Sequence, residues 1–275
     1  PPVTWDELLE WHKKLTKFDS AGNLLQFGID PYDAEGGVGP GSDGFFLTDS
    51  WGFDYFDEEN KKFNFDNELM AKGLDVMNEF VKIIGADNLT GFRKVEGQGT
   101  WGGSYNAEKQ AMIIEGYWHP GETANEKPDV SKVNKATWVP VPEERRGKKI
   151  QFGGGHMAQI FKDAKHKDEA WPLAEWMQSQ SFCDTIFDNI GWLPAYKPYF
   201  DKADPKKYPG LDFYFQSIKD ADYWGKFIRC PIEDFLATKY TEVRETAYRG
   251  KMSGAEAAKA LQKAAEDEWK NQGLS

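Results

Sequence analysis

The stretch from Asp66 to Ile84 constrains the fold more than any other part of this sequence. Leu69, Met70, Leu74, Met77, Phe80, Val81 and Ile84 recur at the three-and-four spacing of an α-helix, and Asp66 stands where an N-cap is needed. A helix of that length with so wide an apolar stripe must be covered by other elements, so the chain needs a layered core around it. Covering helices are easy to find. Thr4 and Glu7 form a capping-box pair ahead of Leu8, Leu9, Trp11 and Leu15, and Ser253 and Glu256 form a second one ahead of a terminal helix running to about Lys270. Residues 168–179, 210–219 and 231–248 also read as helices, the first carrying Trp171, Leu173, Ala174, Trp176 and Met177.

Short strands are expected between them. Leu25-Gln26-Phe27-Gly28-Ile29 follows the turn at Asp19 to Asn23, and residues 31 to 44 read as a Gly- and Asp-rich loop. Phe53 to Phe56 and Lys62 to Phe65 flank the turn Asp57 to Asn60 as a hairpin. Ala111 to Ile114 reads as a buried strand that ends in Glu115-Gly116-Tyr117-Trp118-His119-Pro120, and in α/β folds ligands gather at such strand ends. Thr137 to Val141 and Gln151 to Ile160 complete the set, separated by the charged loop Glu143 to Lys149.

Charge and composition narrow the function. Lys+Arg 34 against Asp+Glu 45 gives a net charge of -11, which repels nucleic acid and anionic lipid. No apolar run approaches the ~20 residues of a membrane span. The 11 Trp, 11 Tyr and 19 Phe exceed what a core of this size requires. Ring faces of that kind pack against the C–H patches of pyranoses, while carboxylates and amides take the hydroxyls. An aromatic-rich core explains the same numbers. Cys183 and Cys230 have no CxxC spacing, and one disulfide or two buried thiols both fit them. Gly153-Gly154-Gly155 lacks the Gly-Lys-Ser/Thr of a phosphate loop, and His156 after it has no second ligand at metal spacing. No metal or other cofactor is expected.

Five segments in order, Pro2-Val3-Thr4-Trp5-Asp6-Glu7-Leu8, Ala111-Met112-Ile113-Ile114-Glu115-Gly116-Tyr117-Trp118, Phe152-Gly153-Gly154-Gly155, Gly191-Trp192-Leu193-Pro194-Ala195 and Met252-Ser253-Gly254-Ala255-Glu256-Ala257, carry a resemblance to a known family. The chain resembles the family 1 extracellular solute-binding proteins, the group that includes maltose-binding protein. The resemblance implies a periplasmic-binding-protein-like (type II) two-lobed α/β fold with sugar held in a cleft that closes over it. It implies C-terminal lobe over residues 1–150 and 199–275, a returning piece of the N-terminal lobe over 151–198, and absence from this chain of most of the N-terminal lobe and of the signal sequence.

The same resemblance implies a monomeric, extracytoplasmic carbohydrate-binding component of an ABC importer, partnered by permease subunits and not an enzyme. Trp118 sits where the family places a stacking aromatic, flanked by Tyr117 and His119. Trp51 and Trp192 are further stacking candidates and Trp101 a weaker one, with Trp192 equally suited to sealing a hinge. Gly154 and Gly155 would bring backbone groups close to the ligand, and His156 would offer a polar contact. Trp5, Trp11, Trp171, Trp176 and Trp269 lie on helices and are expected to serve core or lobe packing. A glycoside hydrolase would need two carboxylates flanking a scissile bond, for which Glu115 and Asp49 are examples among many acidic residues.

Overall fold

The computed structural model describes residues 1–32, 48–96, 103–152, 158–225 and 228–274. In chain order the elements begin with α1 (Trp5–Leu15), β1 (Lys17–Phe18), β2 (Leu24–Gln26), α2 (Thr48–Trp51), β3 (Phe56–Asp57), β4 (Lys62–Phe63), α3 (Glu68–Ile84), α4 (Ala86–Glu96) and α5 (Gly103–Asn106). They continue with α6 (His119–Glu126), α7 (Pro128–Ser131), β5 (Ile150–Phe152), α8 (Lys167–Trp176), α9 (Gln180–Asn189), α10 (Lys197–Phe200), α11 (Leu211–Asp220), β6 (Tyr223–Gly225), α12 (Glu233–Tyr248) and α13 (Gly254–Asn271). The chain divides into two compact units. The first comprises Pro1–Ile114, Thr137–Gly153 and Asp220–Ser275, and the second Glu115–Ala136 and Gly154–Lys219.

The first unit is organised by α3, against which α1, α4, α12 and α13 pack. Met70, Leu74, Met77, Phe80, Val81 and Ile84 are buried there as their spacing requires, whereas Leu69 lies at the exposed edge of the stripe. The cap is Asn67 rather than Asp66: its side-chain oxygen accepts from the Met70 N–H at 2.8 Å, the third position of the helix, where a cap acts. Thr4 caps α1 as expected, but the Glu7 carboxylate accepts from the Val3 N–H at 2.8 Å, one residue before the place a capping box would use. Ser253 and Glu256 form a complete capping box on α13. Next to it Gly254 crosses α3 so closely that a Cβ would lie 2.1 Å from the Ala71 carbonyl oxygen, and its N–H donates to Asp75 at 2.7 Å.

Strand pairing is sparse. β3 and β4 form the expected hairpin, antiparallel with Phe56 opposite Phe63. β5 and β6 pair in parallel over Ile150–Phe152 and Tyr223–Gly225, a register only a long crossover permits. The four other expected strands are shorter than their patterns. Of Leu25 to Ile29 only Leu25 and Gln26 fall in a strand, β2. Ala111 to Ile114 is half-buried; its N–H groups at Ala111 and Met112 donate to Phe27 and Gly28, but Phe27–Gln110 is a single parallel bridge. Thr137 to Val141 likewise holds one bridge, Thr4–Val141; of the strand expected over 151–160, β5 covers the first two residues, 158–160 are irregular, and 153–157 lie outside the described residues. A strand requires a neighbour along several consecutive residues, which apolar patterning alone does not supply.

The second unit is built differently. Its buried cluster is Cys183, Phe187, Tyr199, Tyr208 and Leu211, five residues from α9, α10, α11 and the turns between them. Its described residues form helices and no strand. The Phe187 ring meets Tyr199 and Tyr208 edge-on at 5.9 and 6.2 Å, and the Tyr208 hydroxyl donates to the Phe187 carbonyl at 3.0 Å. Residues 115–136 and 199–219 pack with the 154–198 segment in this unit. Trp5 and Trp269 are internal, and Trp11, Trp171 and Trp176 are exposed. Both cysteines are buried free thiols, and burial pushes Cys230 up to about 11 and raises Cys183. They are therefore protonated small hydrophobes rather than a disulfide.

Candidate functional site

Most of the expected ligand residues that the structure describes fall in one part of the second unit, at the entry to α6. Gly116 has no side chain, and the Trp118 ring occupies the space: a Cβ on Gly116 would lie 2.3 Å from Trp118 Cζ3. Any larger residue would push the ring away. Tyr117 meets Trp118 edge-to-face with ring centroids 5.2 Å apart, and both are half-buried. Burial, with a smaller push from Glu122, raises the Tyr117 hydroxyl above its ordinary value, so it stays protonated at neutral pH. Pro120 stands in the first turn of α6, where a missing N–H costs nothing.

The far side of this group is supplied by the turn at Gly191. Gly191 adopts φ +86°, a left-handed conformation natural to glycine, and the backbone there meets Gly121 so closely that a Cβ on Gly121 would sit 2.3 Å from Gly191 Cα. That close approach brings Trp192 to α6. Its indole N–H donates to Glu122 Oε1 at 2.7 Å, and the buried Glu122 holds the ring in place. Asn125 reinforces the crossing by donating to the Asn189 carbonyl at 2.7 Å. Below Gly116, the Tyr214 hydroxyl donates to the Glu115 carbonyl at 3.3 Å, and the Gly116 N–H donates to the Glu115 carboxylate at 3.0 Å.

Trp118 and Tyr117 thus meet as half-buried rings, and Trp192, also half-buried, is bonded to the same helix through Glu122. His119 is adjacent but buried, with Nε2 3.2 Å from Thr123 Oγ1 on its own helix. Trp51 lies in the first unit with only 6% of its surface exposed, inside the core beside Ser50, whose hydroxyl accepts from Trp5 Nε1 at 2.8 Å. Gly154, Gly155, His156 and Trp101 lie outside the described residues. Glu115 and Asp49 belong to different units. Sequence reasoning passed over Glu122 and Tyr214. Glu122 sits three residues after His119 in a helix whose inward face is set by the Gly121–Gly191 approach, and no local pattern announces that approach.

Half-buried aromatic faces joined to a buried carboxylate can receive a polyhydroxylated ring: faces take C–H patches, and the carboxylate and hydroxyls fix orientation. Among the described residues no group of three or more His, Cys, Asp or Glu is arranged to hold a metal ion. No helix among them is long and apolar enough to cross a membrane.

The fold is that of the two-lobed periplasmic solute-binding proteins. The mannotriose-bound structure of CpMnBP1 matches with a TM-score of 0.76 at 21% identity, covering 96% of this chain and 66% of that one. The maltotriose-bound maltose/maltodextrin-binding domain MalE from Bdellovibrio bacteriovorus matches with a TM-score of 0.67 at 17% identity, covering 98% of this chain and 67% of that one. The cyclic α-maltosyl-1,6-maltose binding protein from Arthrobacter globiformis matches with a TM-score of 0.64 at 21% identity, over 98% and 65%. The present chain spans about two thirds of these proteins, and 64% of CpMnBP1 in its mannobiose-bound form. Residues 2–181 match the bacterial extracellular solute-binding protein family, and the chain belongs to that family.

Proposed function

We propose that the chain is part of the extracytoplasmic carbohydrate-binding component of an ABC importer, which binds a mono- or oligosaccharide without transforming it and passes it to membrane permease subunits. The observation that carries the reading is the Trp118 ring laid over Gly116 beside Tyr117, with Trp192 held at the same helix by Glu122. Family membership supports the extracytoplasmic setting. Solved structures of the same fold that carry mannotriose and maltotriose support a saccharide as the solute. Trp118 stacks on a pyranose face, Tyr117 and Trp192 flank it, and Glu122 acts through Trp192 as a positioning residue. His119 supports the start of α6, and Gly154, Gly155 and His156 remain part of the proposed ligand set. Closure on the sugar shifts the population toward the form that permeases recognise.

Calorimetric titration of the complete polypeptide with a panel that includes mannotriose and maltotriose tests this. Binding with the saccharide recovered intact is expected, weakened about tenfold or more, roughly 1.4 kcal/mol, by Trp118→Ala. Cleaved product, or no affinity for any saccharide in the panel, overturns the proposal.

A further inference from the structure

We infer that the first unit carries a small-molecule site of its own at Trp51, which takes a protonated amino alcohol: an ammonium group with a hydroxyl on the neighbouring carbon. A cavity of about 300 Å³ opens between the start of α1, α3 and the turn after Val141, a size at the lower end of ligand pockets. Trp5 and Trp51 line it together with Val76 and Pro142, so its apolar part is drawn from separate stretches of the chain. Those stretches are tied to one another. Trp5 Nε1 donates to Ser50 Oγ at 2.8 Å, Ser50 Oγ donates to the Pro140 carbonyl at 2.8 Å, and Arg145 Nη1 donates to the Ser50 carbonyl at 2.6 Å. The cavity is therefore held by a hydrogen-bonded frame.

Two observations point to a ligand. The first is the indole N–H of Trp51. Trp5, in the same lining, has its N–H paired with Ser50, whereas the Trp51 N–H is buried without a hydrogen-bond partner, on a residue only 6% exposed. Native interiors leave few donors in that state, because each has lost its hydration and gained nothing for it. The second is the charge at the rim, where Asp6, Asp75, Glu143 and Glu144 stand against Lys72 alone. Glu143 is taken up by Arg146, Lys72 by Glu68, and Asp75 accepts from the Gly254 N–H. The carboxylates of Asp6 and Glu144 have no hydrogen bond or ion pair among the described residues.

These two demands fix the chemistry of the ligand. The indole N–H needs an acceptor oxygen, which a metal ion or a simple ammonium ion does not bring. The rim needs a cation, which a neutral sugar does not bring. A protonated amino alcohol supplies both from adjacent carbons: its hydroxyl accepts from Trp51, its ammonium donates to Asp6 and Glu144, and its C–H groups lie against Val76 and Pro142. Amino sugars carry this unit on a ring and ethanolamine carries it on an open chain. The group at α6 lies in the other unit, so the inference stands apart from the proposed function.

The test follows the indole N–H resonances of the nitrogen-15-labelled chain, with Trp51, Trp118 and Trp192 each assigned by substitution to Phe. The chain is titrated at neutral pH and constant ionic strength with glucosamine hydrochloride, ethanolamine hydrochloride, glucose and methylammonium chloride. The expected result is a saturable shift of the Trp51 resonance by glucosamine, ethanolamine or both, with an affinity about tenfold or more above that of glucose or methylammonium. The tighter of the two amines tells the ring-borne form from the open-chain one. Asp6→Asn and Glu144→Gln, at exposed positions, should each weaken that binding about threefold or more while leaving the other indole resonances in place. A Trp51 resonance that does not move, or that responds equally to glucose or to methylammonium, overturns the inference, as does an affinity unchanged in both variants. Glucosamine that moves Trp118 or Trp192 and not Trp51 also overturns it, and leaves the proposed function standing.

Discussion

The two units are made from the same kinds of residues and reach different degrees of completion. In the first, α3 is enclosed by α1, α4, α12 and α13, and buried Trp5, Phe65, Leu74, Phe80, Leu236, Tyr240 and Leu261 belong to one continuous core. Buried polar groups are paired inside it: Arg93 grips Asp30 through two hydrogen bonds at 2.6 and 2.8 Å, and the fully buried His12 bonds at both ring nitrogens. The second unit has a small aromatic cluster and a helix with both sides in solvent. Apolar patterning marks a helix for burial, but burial requires a partner, and only the first unit contains its own. The first unit is accordingly the one expected to carry most of the stability of this chain.

The comparison breaks most directly at Trp5. Trp5→Ala removes a buried indole and its bond to Ser50, and should lower the stability of the first unit by about 3–5 kcal/mol in denaturant melts. Protection of amides in α9 and α11 should be little changed if the two units unfold separately, and a parallel loss in both would show that they unfold as one.

A second test uses pH. Burial pulls His12 down to about 4, against the opposing influence of the Phe80 carbonyl and Asp30. The unfolded chain therefore takes up a proton near pH 6.5 that the folded chain refuses until about pH 4, so stability falls as pH drops through that window. The loss attributable to this group is roughly 3 kcal/mol. His12→Gln should flatten that slope in melts of the first unit while lowering stability at pH 7. A slope unchanged by the substitution would remove His12 as its cause.

The smallest expected effect is in the second unit. Gly121→Ala places a methyl group 2.3 Å from Gly191 Cα and 2.5 Å from the Ile190 carbonyl, where backbone and not a flexible side chain must move. A destabilisation of about 1–3 kcal/mol is expected, confined to α6 and the Gly191 turn in hydrogen exchange. The same variant should weaken saccharide binding by the complete polypeptide, because Trp192 reaches Glu122 through that crossing. Unchanged binding would detach Trp192 from the proposed site.

Much of the architecture was legible residue by residue. The stripe of α3, the Thr4 and Ser253 caps, the hairpin at Asp57 to Asn60 and the turn at Gly191 follow from spacing and from local hydrogen bonding, which act within a few residues of the chain. The grouping of Tyr117 and Trp118 was legible for the same reason, being set by neighbours and by Gly116. The sequence by itself therefore determined where α1 and α13 start, which face of α3 needs to be buried and which aromatic pair stands just before Pro120.

Tertiary structure alone decided the rest. Trp51, Trp171 and Trp176 are indistinguishable by residue type, yet Trp51 is enclosed and the two on α8 are exposed, because burial depends on what else reaches the same place in space. The extended segments at 111–114 and 137–141 have strand composition but find only single bridges, since a ladder is a property of two segments together. Glu122 gains its role from the approach of Gly121 to Gly191, seventy residues apart in sequence, and no pattern within either segment encodes a distance between them.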